Sequence, residues 1–164
     1  MKIILAAAFG KNNELGKNGA APLWNLPDEY NRFLASIKNH PIVIGRKSFD
    51  AMDGPIDGSL NIVLTSQPNY KRKGIIVTHS LEEALQKAGD STDVYVIGGG
   101  HIFQEVLNRA DRMELSRIDG VFPDADAFFP HFLEADWNLI LEERHDKDAN
   151  HQYSFTFQVW ERKS

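Results

Sequence analysis

The chain has 164 residues, 42% hydrophobic and 25% charged, the makeup of an ordinary globular protein with room for a sizeable core. A formal net charge of -5 argues against a general binder of nucleic acid or anionic membrane, and the lack of cysteine removes any disulfide framework, thiol nucleophile or thiolate metal site. The apolar run Ile3–Phe9 is too short to span a bilayer and lacks the basic start and cleavage site of a signal peptide. A buried strand and a cytoplasmic location are expected instead.

Residues 2–9 show no alternation, as in a strand covered on both faces. Gly10 to Ala21 is polar and glycine-bearing and reads as a long mobile loop, a kind of segment that often carries function. A helix follows from Pro27 to about Asn39, then a buried strand over Pro41–Gly45, a short helix over Arg46–Met52 and a strand over Leu60–Thr65. Ile75–Val77 is a short strand; Ser80 and Glu83 have capping-box spacing for a helix to Ala88 that stops at Gly89. Val94–Ile97 is a further strand leading through Gly98, Gly99 and Gly100 into a helix over His101–Asn108, and Met113–Ile118 is another strand. Trp137–His145 and Tyr153–Glu161 read as an antiparallel pair, the second alternating through Tyr153, Phe155, Phe157 and Val159. The pattern predicts an α/β chain, a single domain over 1–164: one twisted, mainly parallel sheet, helices on both faces and a C-terminal antiparallel hairpin.

The organising stretch is Pro22–Tyr30. Pro27 suits a first helical turn, where its missing N–H costs nothing. Leu26, Tyr30, Phe33 and Ile37 then form an apolar stripe, with Glu29 at its edge. Asp28, rotated about 100° away, is expected to pair with Arg32 on the wet side. Desolvation raises a carboxyl pKa, which a proton donor working near neutrality needs; the plain alternative is an acidic first turn favoured by the helix dipole.

Two strand-to-helix junctions look built for anions. Gly98-Gly99-Gly100 lets backbone N–H groups approach a ligand, and Gly45-Arg46-Lys47-Ser48 adds cations and a hydroxyl at a second helix start. Either alone is a common connector; two in one small sheet point to a polyphosphate ligand. Neither nucleotide fingerprint, G-x-G-x-x-G or G-x-x-x-x-G-K-[ST], is present. Asp146–Asn150 opens like a calcium loop, but His151 and Phe157 stand where Gly and Glu are needed, so it reads as a hairpin turn. No histidine pair has metal-helix spacing and no G-x-S-x-G elbow occurs. Trp24, two residues after Pro22, reads as packing, and Asp124-Ala125-Asp126 as a solvated loop.

Taken together, Ala7-Ala8, Leu15-Gly16, Trp24-Asn25-Leu26-Pro27-Asp28-Glu29 with Phe33, Gly45–Phe49, Asn61–Ser66, Val96–Gly100 and Asp126–Pro130 resemble the dihydrofolate reductase family in order and spacing over essentially the whole chain. The resemblance implies NADPH-dependent reduction of 7,8-dihydrofolate to tetrahydrofolate, in a protein that is a monomer and a target of antifolate inhibitors. It makes Glu29 the sole acid of the pterin pocket, promoting protonation at N5 through water while hydride passes from nicotinamide C4 to pterin C6. Ser116, where the family usually has Thr, would bridge to Glu29, and Trp24 would hold water near it. Ala6, Ala8, Phe33, Met52 and Ile97 would line the pterin and p-aminobenzoyl pocket. For NADPH, it places Lys47, Ser48, Gly99, Gly100, His101 and Ile102 at the pyrophosphate and Arg46, Thr65 and Ser66 at the 2′-phosphate. Ala8, Leu15 and Gly16 would meet the nicotinamide ribose, with Gly45, His79, Gly98 and Phe103 also at the cofactor and Asp126 bracing the loop.

Two departures stand out. Ser59 occupies the position where the family usually has an arginine that forks onto the substrate's α-carboxylate, a task expected to pass in part to Arg32 or Lys38. Leu23 separates Pro22 from Trp24, residues that are normally adjacent in the family, so the loop should take a different conformation. Two other readings stay open: a reductase of a tail-less pterin or pyrimidine, supported by Ser59, and a non-catalytic NADP(H)- or folate-binding protein, which the retained Glu29 disfavours.

Overall fold

The computed structural model describes residues 1–20 and 22–164; Ala21, the last residue of the expected loop, lies outside them. Its main sheet has eight strands: β1 (Lys2–Phe9), β3 (Ile42–Gly45), β4 (Asn61–Leu64), β5 (Ile76–Thr78), β6 (Asp93–Val96), β7 (Arg112–Ile118), β9 (Trp137–His145) and β10 (Phe155–Arg162). Their spatial order is β5-β4-β3-β6-β1-β7-β10-β9. All neighbours from β5 to β7 pair in parallel, and β10 runs antiparallel to both β7 and β9. This is the expected mainly parallel sheet with its antiparallel hairpin.

Among the described residues four helices cover it: α1 (Pro27–Ile37), α2 (Arg46–Asp50), α3 (Leu81–Ala88) and α4 (Gly100–Val106), the last continued by a 3₁₀ turn over Leu107–Arg109. In β1, Ile3, Leu5 and Phe9 pack into the core shared with α3 and α4, while Ile4 and Ala6 pack with Ile37 of α1. Both faces of the strand are thus buried, which is why its sequence does not alternate. The expected cap of α3 forms, Ser80 Oγ accepting from Glu83 N at 3.1 Å. The residues 146–151 turn is a hairpin connection closed by an Asp148–His151 bridge, as its sequence predicts.

The stretch from Gly10 onward departs from expectation. Rather than a free loop, it carries β2 (Glu14–Gly16), paired antiparallel with β8 (Ala127–Phe128). The buried Glu14 carboxylate accepts from Asn12 N at 2.6 Å and Phe122 N at 2.5 Å, and Asn13 O accepts from Phe129 N at 2.8 Å. The Asp126 carboxylate accepts from Asn18 N at 3.1 Å while its own N–H donates to Gly16 O at 3.0 Å. A three-residue strand with partners more than a hundred residues away leaves no periodic signal.

Phe129 anchors this ladder by stacking on Phe9, ring centroids 4.7 Å apart, and is 1% exposed. Replacing Phe129 by Ala should lower the unfolding free energy by about 3–5 kcal/mol in urea denaturation. A loss under about 1 kcal/mol would mean that the ladder is not tied to the core in this way.

Candidate active site

The chain leaves β1 for β3, β4 and β5 on one side, and β6 then returns to fill the gap between β3 and β1. Ligands of open α/β sheets bind beyond the carboxyl ends of strands at such a reversal. A cleft lies there. Ala6, Ala7 and Ala8 of β1, Ile97, Gly98 and Gly99 after β6, and Ile44 of β3 form its floor; Glu29, Tyr30 and Phe33 of α1 face Leu15, Gly19, Pro22, Ser48, Met52, Ile56 and Phe103. The small alanine side chains leave the cleft between helix and sheet open at the strand end. Among the described residues lining this cleft, Glu29 is the sole acid.

Of the residues singled out from sequence, Ala6, Ala8, Leu15, Glu29, Phe33, Ser48, Met52, Ile97, Gly98, Gly99 and Phe103 meet here. Trp24 lines an adjoining hollow with Asn25, Glu29 and Tyr30; it is buried against Phe122, and its Nε1 has no partner among the described residues. Ser116 is fully buried behind Glu29, not in the cleft wall. Gly16, Arg46, Lys47, Thr65, Ser66, His79, Gly100, His101 and Ile102 lie outside the lining. Ala7, Gly19, Pro22, Tyr30, Ile44 and Ile56 also line it, although the sequence does not mark them as site residues. Strict alternation sends Ala7 to the far face, and helical spacing places Tyr30 in the core stripe. It is in fact 47% exposed, a lip of the cleft.

Helix α1 delivers the acid. Pro27 opens it without a side-chain cap at Leu26; Asp28 N donates instead to His151 Nε2 at 3.2 Å, from the distant hairpin turn. The expected Asp28–Arg32 pair does not form. Asp28 lies outward, its carboxylate 3.6 Å from His151 Nε2, and Arg32 turns inward to Glu29 at 3.3 Å. The reason is solvation: water already satisfies Asp28, whereas a carboxyl 5% exposed draws the cation to itself. Burial pushes the Glu29 carboxyl above its ordinary value, opposed by the Arg32 charge and by hydrogen bonds from Ser116 and Arg32. Arg32 is therefore not free to meet a substrate tail, contrary to expectation; Lys38 is exposed at the helix end. Ser59 donates to Ile37 O at 2.9 Å and serves the helix end. The extra residue Leu23 packs with Trp24 and Ile118.

The two glycine-bearing junctions sit back to back. Gly45 N donates to Gly98 O at 2.7 Å, and a Cβ on Gly99 would stand 2.8 Å from Ser48 Oγ, so the bare Gly99 backbone lies directly against that hydroxyl. The first turns of α2 and α4 have no side-chain caps, and Lys47 is exposed beside them. His79 Nδ1 lies 2.8 Å from Thr65 O, joining two expected cofactor residues, and Arg46 pairs with Asp50 at 3.3 Å on the surface. This cradle fits a dinucleotide polyphosphate. No group of three or more His, Asp or Glu among the described residues is placed to hold a metal ion.

A carboxyl kept from water, across a narrow cleft from a phosphate cradle at the turning point of the strand order, defines a nucleotide-dependent α/β enzyme. The sequence profile of the family described as dihydrofolate reductase matches residues 2–162. The type 3 dihydrofolate reductase of Salmonella typhimurium is 34% identical over 157 residues, 96% of each chain, and the dihydrofolate reductase of Bacillus subtilis is 32% identical over 96% of this chain and 92% of its own. The dihydrofolate reductase of Enterococcus faecalis, solved in complex with NADP(H) and RAB-propyl, superposes with a TM-score of 0.91 at 29% identity, covering 99% of this chain and 97% of that one. The chain belongs to the dihydrofolate reductase family.

The buried acid gives a signed stability prediction. An unfolded Glu29 titrates near 4.5 and the folded one higher, so the folded state is penalised as pH rises through that window. Glu29→Gln should therefore gain stability over the parent with rising pH, the gain absent below the unfolded value and complete above the folded one. Urea midpoints at a series of pH values check this. A gain largest in acid would mean that burial does not dominate at this site.

Proposed function

We propose that this chain catalyses the NADPH-dependent reduction of 7,8-dihydrofolate to 5,6,7,8-tetrahydrofolate, supplying one-carbon metabolism, with Glu29 as the group that brings the proton. The observation carrying this reading is one desolvated carboxyl facing a glycine-lined phosphate cradle across the cleft. Bound NADPH supplies the hydride. Glu29 binds and orients the pterin, and burial raises its proton affinity above that of an ordinary carboxyl, which favours its holding the proton to be delivered. Ser116 and Arg32 hold the carboxyl from behind, and Trp24 closes the adjoining hollow through which water reaches it. Phe33, Met52 and Ile97 offer apolar walls to the ring system, and the alanine floor leaves room for a flat one.

For the cofactor, Ser48, Lys47, Gly99 and Gly100 are proposed at the pyrophosphate, and Arg46, Thr65 and Ser66 at the 2′-phosphate. A cation there favours NADPH over NADH. Leu15 of the paired loop covers the cleft and helps exclude water. Antifolate binding is proposed in the same cleft. One sheet assembled from strands between residues 2 and 162 supports a single domain, and a cytoplasmic monomer is proposed; no helix of the described residues is long and apolar enough to cross a membrane.

Following NADPH absorbance with dihydrofolate, Glu29→Gln should slow hydride transfer about 100-fold or more at neutral pH while leaving NADPH binding nearly intact. Asp28→Asn should change little, since that carboxylate is outside the cleft. The reverse ranking would overturn the assignment.

A second reading, a substrate without the glutamate tail, is favoured by two observations: the Ser59 hydroxyl is used by Ile37 O, and Arg32 by Glu29. KM values for dihydrofolate and for a tail-less dihydropterin should then lie close together. A KM for dihydrofolate lower by about tenfold or more, worth about 1.4 kcal/mol, would show a strong tail contact from another group such as Lys38.

A further inference from the structure

We propose that Arg32 is a positioning residue for this reaction, and that a buried charge network beneath the cleft, not the cleft lining alone, governs when Glu29 carries its proton. The inference rests on the reading of Glu29 as the proton donor.

The Arg32 guanidinium is held through both terminal nitrogens, while its buried Nε finds no partner among the described residues. Nη2 donates to Glu29 Oε1 and to Ser116 Oγ, each at 3.3 Å, and Nη1 to Ser36 Oγ at 3.4 Å. Its plane lies over Phe157 of β10, 3.8 Å from the ring centroid. A guanidinium stacked on an aromatic face and forked onto two groups cannot swing away without losing all of these contacts together. Glu29 thus has a cation fixed beside it, on the side away from the cleft.

That cation has a second claimant. Glu114 stands two residues before Ser116 on β7, so both side chains leave the same face of the sheet, beneath α1. It is 6% exposed, and it accepts from Tyr95 Oη on β6 at 3.1 Å and from Arg112 Nη1 at 3.5 Å. Arg112 in turn reaches Glu161 of β10 at 3.3 Å. Burial lowers the proton affinity of Arg32, and the charges of Glu29 and then of Glu114 offset this only in part. The groups around Glu29 are therefore Arg32 on its own helix, Ser116 and Glu114 from β7 and the Phe157 ring from β10, with Tyr95 of β6, Arg112 of β7 and Glu161 of β10 behind Glu114. Asp28 points to water and takes no part.

The consequence has a sign. Burial holds Glu29 toward its protonated form and Arg32 opposes it, so removing Arg32 leaves burial unopposed. Removing the Glu114 charge leaves Arg32 wholly to Glu29 and acts in the other direction. A residue that only filled space over Phe157 would do neither.

The experiment is single-turnover hydride transfer from NADPH to dihydrofolate, measured from acid to alkaline pH for the parent, Arg32→Gln, Arg32→Lys and Glu114→Gln. Arg32→Gln should move the alkaline fall in rate upward by about one to two pH units, as expected for loss of an opposite charge within hydrogen-bonding reach. Arg32→Lys, which keeps the charge, should lie closer to the parent. Glu114→Gln should move the fall to lower pH. A uniform loss of rate at every pH in Arg32→Gln, or a lysine variant no nearer the parent than the glutamine one, would reduce Arg32 to packing and overturn the proposal. If circular dichroism shows Arg32→Gln unfolded, Glu114→Gln decides: a shift to lower pH supports the network and an unmoved profile overturns it. Glu29→Gln in the same assay separates the two levels, since undiminished transfer there would remove the proton-donor reading itself.

Discussion

Holding one carboxyl out of water is the condition on which this structure turns. An unpaired buried charge is expensive, and proteins either neutralise such a group or surround it with partners. Glu29 receives a compromise: enough burial to raise its proton affinity, and a guanidinium and a hydroxyl to prevent the cost from becoming prohibitive. Each partner is delivered by a different element. Arg32 comes one turn along the same helix, Ser116 from the strand beneath, and the ring that steadies Arg32 from the C-terminal strand. The helix itself is pinned at its start by His151 and at its end by Ser59, both from loops far outside it in sequence.

The cofactor side follows a different physical logic. There the useful feature is backbone left bare, with glycines allowing β3 and β6 to release their chains against each other and with helix starts that no side chain caps. One half of the cleft therefore depends on a side chain and the other on its absence. The alanine run at the end of β1 separates them, its small side chains leaving the cleft open.

Much of this was legible in the sequence, and the exceptions share a cause. Local signals carried the strands of the parallel sheet, the Ser80 cap, the Pro27 helix start and the position of Glu29 at the edge of the stripe. What failed was pairing between sequence-distant groups. The spacing of Asp28 and Arg32 describes an isolated helix, where both stand in water; docking on the sheet gives Arg32 to Glu29 and leaves Asp28 to His151. The β2–β8 ladder is equally silent, because three residues pairing with two cannot establish a period. Tyr30 fits the apolar stripe by spacing, yet the cleft opens beside it and leaves it half in water. Glu114 gave no local signal, because its partners are side chains on β6 and on β7 itself that only the folded sheet brings together.

Phe157 belongs to a strand that lies inside the sheet, flanked by β7 and by the edge strand β9. The support under the acid is therefore assembled from pieces at opposite ends of the chain, and no short fragment around residue 29 contains it. A molecule whose late hairpin had not yet docked could have its parallel strands and α1 in place and still lack the ring on which the guanidinium rests. In such an intermediate the cleft would exist as a shape before it existed as a chemical environment, so recovery of activity on refolding should trail recovery of helix and sheet.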